Sequence, residues 1–184
     1  YPEQIGLITV DRSAAEVDTG DLVFLPYLLG ERSPHWDPDA RGAFVGIGRH
    51  HGRAHMMRAV LEGVAFTLGD CLEAFGELGH RFAHIDAVGG GAQSDAWLQI
   101  IADVWGIPVR RRSVVEEANS LGAAVVGAVG LGLLESFDAA RDLSRVVAEF
   151  TPDVERHDRY QERAGRFRTA YTSLAPWFSA GGSR

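Results

Sequence analysis

The spacing of apolar residues along this chain changes several times, and each change marks an element. Leu22-Val23-Phe24-Leu25-Pro26-Tyr27-Leu28 is a nearly continuous apolar run and predicts a buried strand. Residues 30–41 hold Pro34, Asp37, Pro38 and Asp39 and predict a loop, after which Ala43-Phe44-Val45-Gly46-Ile47 predicts a second short strand. From Arg53 the period becomes helical. Met57, Val60, Leu61, Val64, Leu68, Cys71, Leu72, Phe75 and Leu78 recur at three and four, a stripe expected to face the core until Gly79 stops the helix. Further on, the pattern predicts helix over 96–104, a strand Ile107-Pro108-Val109-Arg110, and a small-residue helix capped by Asn119 or Ser120 and running to Gly130. Two more helices are expected over 138–147 and 156–174, with a frayed tail from Ser179 to Arg184.

Between the long helix and the 96–104 helix lies the stretch richest in chemical meaning. Ile85-Asp86-Ala87-Val88 runs into Gly89-Gly90-Gly91-Ala92 and then Gln93-Ser94-Asp95-Ala96-Trp97, a sharp strand-to-helix turn with almost no side chain in the way. A ligand can touch bare backbone at such a turn, and the positive end of the following helix favours an anionic or polar group, such as a phosphate or part of a nucleotide. The same glycines serve equally as a tight connection without a ligand. A dinucleotide fingerprint is excluded: Ser94 stands where its third glycine belongs, and Arg110–Arg112 occupy the region where its acidic residue falls. The two glycines inside the 120–130 helix, Gly122 and Gly127, suggest that a neighbour approaches it closely.

Composition narrows the function classes. The 184 residues are 46% hydrophobic and 23% charged, which fits one globular domain over 1–184 with 1–20 and 179–184 peripheral. A net charge of -7 argues against general affinity for nucleic acid or anionic membranes. All 18 basic residues are arginine, so chemistry that needs a P-loop lysine or a Schiff base has no residue here. The single cysteine, Cys71, allows no disulfide within one chain and suits a reducing cytoplasm. No signal peptide or membrane span is read from the sequence. His51 and His55 stand four apart at a helix start, yet no third ligand is suggested and a solvated helix start accounts for them. Arg110-Arg111-Arg112 reads as a phosphate contact or, more commonly for arginines after a strand, a solvated end, and Trp36 as either a ligand cover or a loop wedge.

One segment carries a more specific signal. Gly42-Ala43-Phe44-Val45-Gly46-Ile47, seven further residues, and then His55-Met56-Met57-Arg58-Ala59-Val60-Leu61-Glu62 resembles the second signature of the FGGY carbohydrate kinases at every position. Residues 24–38, with Gly30-Glu31-Arg32-Ser33-Pro34, look like the loop that precedes it in xylulokinases and, less closely, gluconate kinases. Gly89-Gly90-Gly91-Ala92-Gln93-Ser94 resembles that family's adenosine motif, and Leu121-Gly122-Ala123-Ala124 its small-residue helix near the nucleotide. Gln93 departs from the pattern, because many xylulokinases carry Arg or Lys there.

The resemblance implies an α/β fold: a ribonuclease H-like C-terminal domain of the actin, hexokinase and Hsp70 superfamily, with a mixed sheet flanked by helices. It implies ATP as cofactor, with Gly90, Gly91 and Ala92 lining the adenine and ribose site and Ser94 and Asp95 contacting it from the helix start. Phosphoryl transfer also needs a carboxylate base, Mg²⁺ and donors around the γ-phosphate, which the resemblance assigns mainly to an N-terminal domain outside this chain. No motif places Glu31, Asp37, Glu62, Glu116 or Glu117 as a base, so the chain alone is expected to be inactive, with no catalytic or metal residues of its own. D-Xylulose is the favoured sugar; gluconate, ribulose and glycerol remain alternatives. So do a non-catalytic nucleotide-binding or regulatory module and a structural fragment. Without its partner domain the chain is expected to expose an apolar face and to form a homodimer.

Overall fold

In a computed structural model of the chain, residues 12–181 are described. A short helix α1 (Arg12–Glu16) leads to strand β1 (Val23–Leu25), which pairs antiparallel with β2 (Ala43–Val45), Val23 opposite Val45. Both strands are shorter than their apolar runs. Pro26 has no N–H to continue the β1 ladder. Gly46, at φ +85°, ends β2 where a Cβ would lie 2.5 Å from the Asp21 carbonyl oxygen. The early stretch read as peripheral packs inward where it is described: Ala14 and Thr19 are fully buried. Residues 1–11 and 182–184, which hold the remainder of that stretch and the end of the tail, lie outside the described residues.

Helix α2 (Arg53–Glu77) forms as its period predicts but turns a different face inward. Ala59, Glu62, Gly63, Ala65, Phe66 and Thr67 are buried, whereas Leu68, Phe75 and Leu78 of the expected core stripe are exposed. The cause is close packing: a Cβ on Gly63 would collide with the Phe24 carbonyl, so α2 lies against β1 on its small-residue side. Trp105 reinforces this arrangement by donating its indole N–H to the Ala65 carbonyl, 2.9 Å away.

A second, mixed sheet has the order β3-β4-β5. β3 (Ile85–Ala87) runs parallel to β4 (Val109–Arg112), and β5 (Val146–Phe150) runs antiparallel to β4. Between β3 and β4 lie a 3₁₀ turn (Gly90–Gln93) and helix α3 (Asp95–Trp105); α4 (Ala118–Gly130) and α5 (Ala139–Leu143) connect β4 to β5. The helix expected over 138–147 is therefore replaced by α5 and a strand. Val146 and Val147 are β-branched, and pairing with the free edge of β4 overrides local helical spacing. The arginine triplet is likewise not a solvated end. It is half-buried strand, with Arg110 on Glu149 (2.6 Å), Arg111 on Asp95 (2.6 Å) and Arg112 on Asp86 (3.4 Å).

Helix α6 (Val154–Ala180) extends beyond its expected limits at both ends, capped by Asp153, whose carboxylate accepts from the Arg156 N–H at 2.9 Å. It buries Tyr160, Ala164, Phe167 and Phe178. Together with Leu25, Tyr27, Phe66, Leu98 and Val109 these residues form one core, so helices flank the sheets as the α/β expectation required.

Candidate functional site

The chain leaves β3 through Val88 and turns at Gly89, whose φ of +86° suits glycine. A Cβ at Gly89 or Gly90 would meet no atom within 4 Å, so this part of the corner is main chain facing open space. Gly91 differs, because the six-membered ring of Trp97 occupies the place of its missing side chain. Ala92 is only 3% exposed and belongs to the core. Ser94 caps α3 by accepting the Trp97 N–H at 3.2 Å. Asp95, at the first turn of α3, is 74% exposed and pairs with Arg111. The five sequence candidates Gly90, Gly91, Ala92, Ser94 and Asp95 are thus gathered in one corner. Gly90 and Asp95 offer surface there, while Gly91, Ala92 and Ser94 shape the turn.

Sequence reasoning passed over the groups that hold this corner. The Gly89 N–H donates to the Val115 carbonyl at 2.8 Å, and the Gln93 amide donates to Glu116. Arg111 donates to the Ala92 and Gln93 carbonyls, both at 3.4 Å, as well as to Asp95. No local sequence signal marks Arg111: only the parallel register sets it opposite Ala87, where β3 ends. The segment held by Val115 and Glu116 leads into α4. Cβ atoms at Gly122 and Gly127 of that helix would meet nothing within 4 Å, so no described element makes the expected close approach.

Other candidate groups are committed elsewhere. Glu62 is 2% exposed and is held by Arg58, Arg163, Tyr160 and Thr19. Glu31 accepts the N–H groups of Arg32 and Ser33, and Asp37 accepts the Tyr171 hydroxyl at 2.9 Å. The Nδ1 atoms of His51 and His55 accept the N–H groups of Gly48 and Gly52, and desolvation, with the neighbouring His50 and His55 rings adding to it, holds His51 below its ordinary pKa. Among the described residues no group of three or more His, Cys, Asp or Glu side chains is placed to hold a metal ion. Cys71 is half-buried, which pushes its thiol pKa up and leaves it protonated at neutral pH. Trp36 is 79% exposed, so among the described residues it is not packed as a loop wedge. No described helix is long and apolar enough to cross a membrane.

Comparison with known proteins agrees with this architecture. Residues 6–131 match the model of the FGGY family of carbohydrate kinases, C-terminal domain. The chain is 36% identical over 160 residues to a xylulose kinase of Staphylococcus epidermidis, covering 86% of this chain and 32% of that protein. It is 43% identical over 148 residues to a glycerol kinase of Myxococcus xanthus, covering 79% and 29%. The crystal structure of a gluconate kinase from Lactobacillus acidophilus superposes with a TM-score of 0.83 at 28% identity, covering 93% of this chain and 35% of the other. The chain therefore spans about a third of the length of these relatives, which are named for three different substrates. With a mixed-sheet α/β fold shared with these sugar kinases and a family match across both the signature segment and the glycine corner, the chain belongs to the FGGY carbohydrate kinases, within their C-terminal domain.

Proposed function

We propose that this chain carries the adenosine-binding portion of an ATP-dependent carbohydrate kinase, most closely a xylulose kinase. The observation that carries this reading is the open main chain at Gly89 and Gly90, beside a tethered segment leading to a small-residue helix with open space at Gly122 and Gly127. A flat nucleoside can lie against such a surface, because no Cβ holds it away. Gly90 and Asp95 meet the nucleoside; Gly91, Ala92 and Ser94 keep the turn and the start of α3 in shape.

ATP supplies the phosphoryl group, and Mg²⁺ neutralises its charge during transfer. The base, the Mg²⁺ ligands and the sugar contacts reside on a second lobe, so this chain binds nucleotide without transferring phosphate. The Gly30-Glu31-Arg32-Ser33-Pro34 loop favours D-xylulose over gluconate, ribulose or glycerol. The exposed residues Leu68 and Phe75 on α2, with Leu78 just past its end, support contact with another apolar surface, which for the isolated chain is a second copy. The reduced, unpaired thiol suits a cytoplasmic setting.

The test is calorimetric titration of the chain with ATP and ADP, alongside Gly90→Val. Gly91 is a poor choice for this substitution, since a side chain there strikes Trp97 and perturbs the fold itself. Saturable binding by the parent chain and its loss in a folded Gly90→Val variant are expected. No heat at about 10 mM nucleotide, well above common dissociation constants, would contradict the reading. A coupled assay with ATP and D-xylulose should show no turnover by the chain alone.

A further inference from the structure

We propose that Arg111 is the positioning residue of the nucleotide corner, fixing the Gly90–Gln93 turn and the start of α3 so that bare main chain meets the nucleoside in one shape. This rests on the reading of the corner given above. Arg111 stands on the central strand β4, opposite Ala87, so it rises beside the point where the chain leaves β3. One guanidinium nitrogen reaches the Ala92 and Gln93 carbonyls at 3.4 Å and the Asp95 carboxylate at 2.6 Å. These acceptors straddle the junction between the 3₁₀ turn and α3. Phe150 of β5 lies 5.7 Å from the guanidinium carbon, on the flank of the same side chain.

Asp95 is exposed, so its Coulomb attraction to Arg111 is screened, and the main consequence is geometric. Two carbonyls and a carboxylate held by one planar cation cannot shift independently. Lysine also offers one donor nitrogen, but it lacks the flat guanidinium that lies over Phe150 and fixes the direction of that nitrogen. Arg111 acts through the turn and makes no contact with phosphate.

The experiment compares Arg111→Gln and Arg111→Lys with the parent full chain, titrating adenosine, ADP and ATP. Arg111→Gln should weaken all three by the same factor, about tenfold, the scale of one lost charged hydrogen bond, and Arg111→Lys should recover only part of it. Amide hydrogen exchange over residues 89–97 should quicken in Arg111→Gln, while exchange in α2 and α6 stays at parent rates. Undiminished affinity in Arg111→Gln would overturn the proposal. So would a loss that grows from adenosine to ATP, which marks a direct phosphate contact instead. If the parent chain binds none of the three, the nucleotide reading fails by itself. The exchange measurement then decides whether Arg111 sets the turn: quickened exchange supports that role and unchanged exchange removes it.

Discussion

Replacing Glu62 by alanine should cost this domain a large part of its stability. Its Oε1 accepts from Arg58 Nε at 2.8 Å, the Tyr160 hydroxyl at 3.0 Å and Arg163 Nη1 at 3.2 Å. Its Oε2 accepts from the Thr19 hydroxyl at 2.9 Å and Arg163 Nη2 at 2.5 Å. One carboxylate thus joins the segment before β1, α2 and α6. The side chains of Arg58 and Arg163 are 12% and 17% exposed, so water compensates them poorly once the anion is gone. Removing one partner of a buried ion pair costs about 3–5 kcal/mol, against a total stability of roughly 5–15 kcal/mol for a domain. Glu62→Gln keeps the volume but sets an amide NH₂ against arginine donors, and should cost about 2–3 kcal/mol. Urea unfolding followed by far-ultraviolet circular dichroism measures both, provided the slope against urea is shared with the parent chain. A loss below about 1 kcal/mol for Glu62→Ala, the scale of an exposed pair, would mean that Glu62 does not hold these segments together. So would a deficit that vanishes at high salt, because a buried pair is screened little.

Three further outcomes are expected. Gly63→Ala should destabilise the chain because its Cβ meets the Phe24 carbonyl, although the same change in a free helix stabilises by about 1 kcal/mol; a gain in the urea midpoint would contradict the packing of α2 on β1. Burial, and secondarily the Glu62 charge, pushes the Tyr160 hydroxyl up to about 12, and burial with the Asp37 bond does the same for Tyr171. The unfolded chain ionises these groups first, so their contribution is intact below pH 10 and lost as the pH rises towards 12, which ultraviolet titration of tyrosinate alongside unfolding will show. Sedimentation velocity should find concentration-dependent self-association that Leu68→Glu abolishes; a parent chain that stays monomeric at high concentration would remove the role given to α2's apolar face.

The long helix and the glycine turn were legible because their signals are local, helical spacing and three successive glycines, whereas the α/β class followed from the resemblance to the FGGY kinases. What escaped was set by contacts between distant segments. Spacing alone points the apolar stripe of α2 at the core, yet Gly63 must lie on the β1 backbone, and this rotates Leu68 and Phe75 outwards. Val146–Phe150 became strand because the edge of β4 needed a partner. The corner's own glycines could be read from the sequence. Arg111, Val115, Glu116 and Trp97 around it could not, since the parallel register of β3 and β4 brings Arg111 to Asp95 and helical geometry brings Trp97 over Gly91.

The most direct test of the adenosine-binding role is an amide chemical-shift map of the chain titrated with ADP. Shifts are expected at residues 89–95 and along the first two turns of α4, with α2 and the 28–41 loop unmoved. Saturating shifts centred on any other surface, or none at all, would contradict that role.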